Sequence, residues 1–405
     1  MVVAEELFRS ALHLTAPWVI SSLRFGEGER KLEIWIDFIK GAKFPCPECN
    51  SLDCDIHDTT TRTWRHLDFF EHQTLIHGRI PRIQCPNCGV KQVKIPWARE
   101  RSGFTLLMEA LIVFFATTMQ ISQISEKLHI PDKKIWRVVS HYVEDARKRA
   151  DYSKVTSVGL DETSRKKGHQ YITVFADLAS GSIIHICSGK DSSVLKSFSG
   201  SLLTHNADPN QISDFCSDMS PAFIRGISEE FPHSSIIFDK FHVMKLVNDA
   251  VDEVRRNEQQ RNRVLKNTRY IWLKNPSSLT QKQIILLGGL KDMNLKTARA
   301  YNIKLSLQTF WNMEDLQSAL FYFKKWYFWA THSQLPAMVK VAKTLKEHWN
   351  GIINFFENRF SNGLLEGLNS MIQALKANAR GYRNDENFMN MIFLRHGNLQ
   401  FNLPT

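Results

Sequence analysis

Hydrophobic and polar positions change rhythm along the chain, and each rhythm predicts a different kind of element. Over Thr61 to Asp68 and Thr74 to Ile83, apolar residues alternate with polar and basic ones, the period-2 pattern of strands. From Phe104 to Ala150 the period becomes helical, with one helix over roughly Thr105 to Thr118 and two more between Ile121 and Tyr142. After Asp151 short apolar runs predict strands at Val155–Leu160, Tyr171–Asp177, Ile183–Ser188, Ile212–Ser217 and Ser235–Phe238. Gly168 and Gly181 mark the first two turns. Helices are expected at Ser192–Leu203, Pro221–Glu230 and Phe241 to about Arg256. Three hairpin strands followed by strand–helix alternation fit a mixed sheet covered by helices. Far downstream, Leu365, Leu368, Ile372 and Leu375 recur at 3, 4, 3 spacing, a helix with Glu366 beside its buried stripe.

The middle helical pair resembles a helix-turn-helix. Ile124 and Leu128 face Ile135, Val138 and Val139 across a turn at His129 to Pro131, with Asp132 as the cap of the second helix. Lys133, Lys134 and Arg137 then face outward, where a recognition helix would enter the major groove; an ordinary helical hairpin has the same spacing.

Composition narrows the class. With 405 residues and 43% hydrophobic content the chain is globular and larger than one typical domain, so two or three are expected. A net charge of +11 suits a polyanionic partner, and by itself would suit an anionic membrane surface equally. No apolar run approaches the roughly 18 residues of a membrane span, the longest being Ala110 to Ala116. Glu5 and Glu6 stand where a secretory signal carries basic residues, so a cytoplasmic location is expected.

Seven cysteines are an odd number, and four form the pairs Cys46-Pro-Glu-Cys49 and Cys85-Pro-Asn-Cys88. In a reducing compartment such pairs point to metal, and four thiolates at about 2.3 Å close a tetrahedral, structural Zn²⁺ site. Two unrelated redox pairs are the competing reading. Cys54 and His57 lie close enough in sequence to compete as ligands. The strands between the pairs complete a zinc-ribbon-like module, in which Arg62, Arg65, Arg79 and Arg82 either meet phosphates or form a solvated basic face.

Three acids stand in contexts suited to hold a hard cation. Asp161 ends the run from Val155, Asp218 follows the run from Ile212, and Glu366 sits on its helix. Two Mg²⁺ ions held by carboxylates can activate water and stabilise a leaving oxygen in phosphodiester cleavage. Taken singly, each acid reads equally as a surface or capping carboxylate. Glu162 points to the other face of its strand and is a poor third ligand.

The cysteine pairs, Gly159-Leu-Asp-Glu-Thr163, Ser217-Asp-Met-Ser220, Phe238-Asp-Lys-Phe-His-Val243, Ser361-Asn-Gly-Leu-Leu-Glu-Gly-Leu-Asn-Ser370 and Gly381-Tyr-Arg-Asn384 occur in an order that resembles the DDE transposases of bacterial insertion sequences, specifically their zinc-finger-bearing ISL3 group. The resemblance covers nearly the whole chain. It implies an α/β fold: a ribonuclease-H-like catalytic core with an all-α insertion, preceded by the zinc-ribbon-like module and the helix-turn-helix. The expected division is 1–98, 99–150, 151–256 (first part of the core), 257–350 (helical insertion) and 351–405 (core completion with the Glu366 helix). The long interval from Asp218 to Glu366 exceeds an ordinary connection, which an insertion explains.

The resemblance further implies that Asp161, Asp218 and Glu366 bind catalytic Mg²⁺ (or Mn²⁺), that zinc is structural, and that Asp239 and His242 support the site. In the plain reading Asp239 caps a helix and His242 packs. Lys376, Arg380 and Arg383 would clamp phosphate, or form a charged solvated face. The aromatic run Ser318 to Trp329 either fills a core or stacks on an exposed base. The implied partners are double-stranded DNA with terminal inverted repeats and target DNA, bound by a homodimer in the bacterial cytoplasm at the nucleoid, with no membrane. Two other readings share many of these features: a catalytically silent DNA-binding protein, and a ribonuclease-H-like nuclease.

Overall fold

The computed structural model describes residues 2–166, 170–358 and 363–404, in two units: residues 1–147 with 400–405, and residues 148–399. Each is described by itself.

In the first unit, helix α1 (Val2–Ala11) precedes the hairpin β1 (Trp18–Gly26) and β2 (Lys31–Phe38), followed by β3 (Asp55–Arg65), β4 (Gln73–Cys85) and β5 (Gly89–Gln92). The sheet order is β1-β2-β4-β3 with β5 also on β4, and β2 runs parallel to β4. Leu32, Ile34, Ile36 and Phe38 alternate inward along β2. They meet Trp18, Trp64 and Trp97, whose rings pack edge to face at 4.9 Å (Trp18 to Trp97) and 5.7 Å (Trp64 to Trp97). A Cβ at Gly78 would stand 3.0 Å from Trp97 and 3.1 Å from Trp64, so glycine leaves the space those indoles fill.

The first two strands were not expected from the sequence. A register shift between Ile20 and Ser22 breaks the alternation of β1, whereas β2 alternates strictly from Leu32 to Phe38, a signal that went unread.

Downstream lie α2 (Leu106–Thr118), α3 (Ile121–Leu128) and α4 (Asp132–Lys148). Thr105 caps α2 by accepting from Met108 N–H, and α3 ends at His129 in the left-handed conformation, φ 53°. Ile124, Ile135, Val138 and Val139 are buried between the last two helices. Asp132 is the first residue inside α4, not the cap before it: the backbone oxygen of Pro131 accepts the first bonds, from Lys134 and Ile135. Its charge still faces a helix N-terminus. Buried Glu109 on α2 is fully engaged by Arg99 Nε (2.9 Å), Ser102 Oγ (2.6 Å) and Tyr142 Oη (3.2 Å).

The second unit is built on β6 (Ser157–Lys166), β7 (Gln170–Asp177), β8 (Ile183–Ser188), α5 (Ser193–Thr204), β9 (Asp214–Ser217), α6 (Pro221–Glu230), β10 (Ser235–Phe238) and α7 (Lys240–Gln259). The sheet order β10-β9-β6-β7-β8, with β6, β7 and β8 antiparallel and β9 and β10 parallel to β6, is the ribonuclease-H-like arrangement. One face packs on α5 and α6 through Leu160, Phe175, Phe198, Phe215 and Phe223. Gly181, at φ 71°, closes the β7–β8 turn; Gly168 lies outside the described residues.

From α7 the chain enters an all-α body of α8 (Arg269–Leu273), α9 (Gln281–Lys291), α10 (Lys296–Phe310), α11 (Leu316–Thr331), α12 (Pro336–Glu347), α13 (Trp349–Ile353) and α14 (Phe355–Asn358), then returns through α15 (Gly363–Asn378) and α16 (Asp385–His396). Its core joins Val247 and Val251 of α7 to Trp272, Tyr301, Phe310, Trp326 and Met338. On α11, Ala319, Phe323, Trp326 and Ala330 face inward, while Phe321, Phe328 and Trp329 remain exposed. The aromatic run therefore fills a core on one side only. Lys304 is fully buried, and its ammonium donates to the carbonyl oxygens of Trp272 (3.1 Å) and Leu273 (2.6 Å) at the end of α8; burial pushes its pKa down to about 8. Among the described residues, no helix is long and apolar enough to cross a membrane.

Candidate active site and zinc centre

The four cysteines meet. Cys46, Cys49, Cys85 and Cys88 bring their sulfurs within 4.8 Å of one another, the one such group of three or more His, Cys, Asp or Glu among the described residues. The two knuckles are built alike: each has Pro after its first cysteine and a left-handed residue after its second, Asn50 at φ 56° and Gly89 at φ 73°. That turn aims two sulfurs at one point. Burial works against ionising Cys85, but the N–H groups of Asn87 and Cys88, together with hydrogen bonds from Cys49 and Cys46, outweigh it and hold the thiol below its usual range, toward the thiolate that zinc takes. Cys54 stands outside the cluster, donating to the Ser51 carbonyl at 3.4 Å, and His57 pairs with Asp58 at 3.3 Å. The four-cysteine cluster fits a structural zinc.

The arginines of this module are already engaged. Arg65 pairs with Asp68 and donates to the His66 carbonyl at 2.8 Å, Arg79 binds Asp37 at 2.9 Å, and Arg82 pairs with Asp58. Arg62 reaches the Ser102 carbonyl at 3.4 Å and stands over Trp64. Neighbouring carboxylates thus neutralise most of the basic face read from the sequence. Lys133, Lys134 and Arg137 on α4 are exposed.

Asp161 does not end its strand. β6 continues to Lys166 because β7 accompanies it throughout, whereas its parallel partner β9 stops opposite Gly159. Asp161 therefore lies just beyond the parallel pairing, on a rigid strand with an open flank. Asp218 follows β9 directly and accepts from Ser220 N–H at 2.9 Å. Asp239 follows β10, is 5% exposed, and caps α7 by accepting from Phe241 N–H at 2.5 Å while pairing with His242 Nδ1 at 3.2 Å.

These groups share one electrostatic neighbourhood. Burial raises the Asp161 pKa; its bond from Glu162 N–H and the charge of His242 oppose this, and Asp218 and Asp239 push it higher. The hydrogen bond to Asp239 raises His242, against burial, with help from Asp161 and Asp218. Glu162 is raised by burial and then by Asp218, with Lys190 opposing.

Glu366 is exposed on α15 and lines a cleft of about 950 Å³ with Lys240, Phe241, Asn248 and Gln308. The residues that reach Asp161 from α15 are others. Asn369 Nδ2 donates to Asp161 Oδ2, Thr163 Oγ1 donates to Asn369 Oδ1 at 3.2 Å, and Gln373 Nε2 donates to Thr163 Oγ1 at 3.2 Å. Lys376 Nζ donates to the Ser164 carbonyl at 2.5 Å, so its charge is spent on β6, while Arg380 and Arg383 are exposed. Glu366, Asn369, Gln373 and Lys376 form one helical stripe at 3, 4, 3 spacing. Asn369 was missed in the sequence although it lies on that stripe; the available signal was its place one turn after Glu366. Ser361 and Asn362 of the same motif lie outside the described residues.

Comparison with known proteins agrees. Residues 158–392, more than half of the chain, match the ISL3 DDE family model described as "Transposase". Residues 42–88 match the "zinc-finger of transposase IS204/IS1001/IS1096/IS1165" and residues 93–143 the "Helix-turn-helix domain of transposase family ISL3". Among curated relatives, the transposase for insertion sequence element IS1557 of Mycobacterium tuberculosis is 27% identical over 80% of this chain and 79% of its own length. The transposase for insertion sequence element IS1001 of Bordetella parapertussis is 26% identical over 85% and 86%. A zinc ribbon, a helix-turn-helix and a ribonuclease-H-like sheet in this order, each matched by its own family model, make the chain a member of the ISL3 family of DDE transposases.

Proposed function

We propose that this transposase binds the terminal inverted repeats of an insertion sequence, cuts the DNA there with Mg²⁺ (or Mn²⁺), and joins the freed 3′-hydroxyl to target DNA. The observation that carries this reading is the convergence of Asp161, Asp218, Asp239 and His242 at the ends and open flank of three neighbouring strands. The donor set fits the metal: the carboxylate oxygens are hard ligands, and a cation would relieve the negative charge that Asp218 and Asp239 place on Asp161. The acids do not gather to within 4.8 Å as the cysteines do. When bound, the ions would activate water and neutralise charge on the phosphate.

Asp161 and Asp218 would hold the ions from β6 and from the end of β9. Glu366 would complete the set: it shares its helix stripe with Asn369, which binds Asp161, and its cleft with Lys240 at the start of α7, where Asp239 and His242 stand. His242, whose protonated form the neighbouring Asp239 favours, would present an N–H to a phosphate oxygen. Exposed Lys133, Lys134 and Arg137 would enter the groove of the repeat, Arg62 would flank it, and Arg380 and Arg383 would follow the backbone near the cut, whereas Arg65 and Lys376 are already held by Asp68 and the Ser164 carbonyl. Two DNA ends call for a homodimer acting in the bacterial cytoplasm at the nucleoid.

The test is cleavage of DNA carrying the inverted repeats that flank the gene, with the wild type compared against Asp161→Asn, Asp218→Asn and Glu366→Gln. Cuts at the repeat boundary that require Mg²⁺ and vanish in all three variants, with binding retained, are expected. Specific binding without cleavage by the wild type in Mg²⁺ or Mn²⁺ refutes the catalytic reading.

A further inference from the structure

We propose that Asn369 is the positioning residue of the metal site: it locks Asp161 in the rotamer that binds the cation, and its own orientation is set with Thr163 and Gln373. The inference rests on the reading of Asp161 as a metal ligand. It begins from an amide whose direction is fixed. Gln373 Nε2 donates to Thr163 Oγ1 at 3.2 Å, so the Thr163 hydroxyl hydrogen is free to turn toward Asn369 Oδ1, also at 3.2 Å. With its oxygen occupied, Asn369 must present its NH₂ to Asp161 Oδ2. The flipped amide would set its oxygen against the carboxylate, a repulsion that the Thr163 hydroxyl, able to donate or accept, does not offset.

Thr163 is 3% exposed and Asn369 half-buried, while Gln373 is exposed, so water replaces a lost inner partner less readily than the outer one. Asp161 Oδ1 accepts from Glu162 N–H at 2.7 Å and Oδ2 from Asn369, which leaves each oxygen a lone pair for a cation.

The stripe ties the relay to Glu366. Leu365 lies against Gly159, Asn369 against Asp161 and Thr163, and Lys376 against Ser164. Helix and strand thus run in the same direction, and their rises match: eleven helical residues span about 16 Å and five strand residues about 16 Å. Asn369 is the hydrogen-bonding rung nearest Glu366, so the contact that orients Asp161 also helps set the height of Glu366 along β6. A ligand's hydrogen-bond partner of this kind typically carries a 10- to 100-fold effect on metal affinity.

The experiment is Mn²⁺ binding to the full, zinc-loaded chain without DNA, read from the electron paramagnetic resonance signal of free Mn²⁺. It is run on wild type, Asp161→Ala, Asn369→Ala, Thr163→Val and Thr163→Ser, with thermal unfolding of each. Expected are at least about tenfold weaker binding in Asn369→Ala, a smaller loss in Thr163→Val, and near-recovery in Thr163→Ser, which keeps the hydroxyl. Unchanged affinity in a folded Asn369→Ala, with binding lost in Asp161→Ala, overturns the positioning role alone. Unchanged affinity in Asp161→Ala removes the metal-ligand reading and this inference with it. If Asn369→Ala fails to fold, the Thr163 pair decides: equal affinities in Val and Ser overturn the relay.

Discussion

The ring of Phe238, at the end of β10, packs so closely on Gly351 of α13 that no side chain fits at position 351. Asp239 is the next residue, so this contact seats the strand end that carries it. Gly351→Ala is expected to cost about 1–3 kcal/mol by overpacking against a rigid ring. The double variant Gly351→Ala with Phe238→Leu should recover part of that loss. Denaturant unfolding of the two singles and the double checks it; strictly additive losses would show that the two residues do not share the contact.

The zinc centre should be structural. Removing the ion with a strong chelator is expected to release about one zinc per chain and to unfold the first unit while the second keeps its helical signal. Cys85→Ser should reproduce this, and Cys54→Ser should not, since Cys54 lies outside the cluster. Zinc retained at full stoichiometry in Cys85→Ser would refute the assignment.

The exposed triplet on α4 makes a different kind of prediction. Alanine at Lys133, Lys134 or Arg137 should leave the unfolding midpoint within about 0.5 kcal/mol, because these side chains are exposed. Each change that removes a phosphate contact should lower the salt slope of DNA binding by about 1. Alanine at Arg79 or Arg82 should leave the slope nearly unchanged, since Asp37 and Asp58 already hold them. Slopes measured from 50 to 200 mM salt separate the two groups.

His66 gives the first unit a pH dependence. Its Nδ1 contacts Thr105 Oγ1, the α2 cap, at 2.8 Å. Burial, with the charge of Arg65, lowers its pKa to about 4, while Asp68 opposes. An unfolded histidine takes up its proton near 6.5 and the folded one resists until about 4, so the unfolded state binds more protons in that window. Stability is unaffected above the window and falls as pH drops through it. His66→Asn keeps a hydrogen-bonding group without the titration, and should lose less stability than wild type between pH 7 and 5, by an amount on the order of 1 kcal/mol. Equal losses in the two proteins would rule this out.

Much of this architecture was legible in the residues. The short apolar runs of β8 and β10, the 3, 4, 3 stripe of α15 and the helix-turn-helix spacing are local consequences of which side chains seek burial, and a single segment displays them. β1 was not legible, because a bulge breaks its alternation, and neither was the length of β6, whose second half is polar and is a strand only because β7 accompanies it.

By itself the sequence determined the inventory: two cysteine knuckles, three acids in separate contexts, basic residues on an outward helix face, and the order of modules that gives the family. These follow from residue type and short-range geometry. Tertiary structure alone decided which of these groups meet. It set the arginines of the ribbon against Asp37, Asp58 and Asp68, excluded Cys54 from the cluster, and brought Asn369 of α15 to Asp161 of β6 across some two hundred residues of chain. The reason is physical: a hydrogen bond or ion pair forms between neighbours in space, and only sheet order and helix docking make residues so far apart in sequence into neighbours.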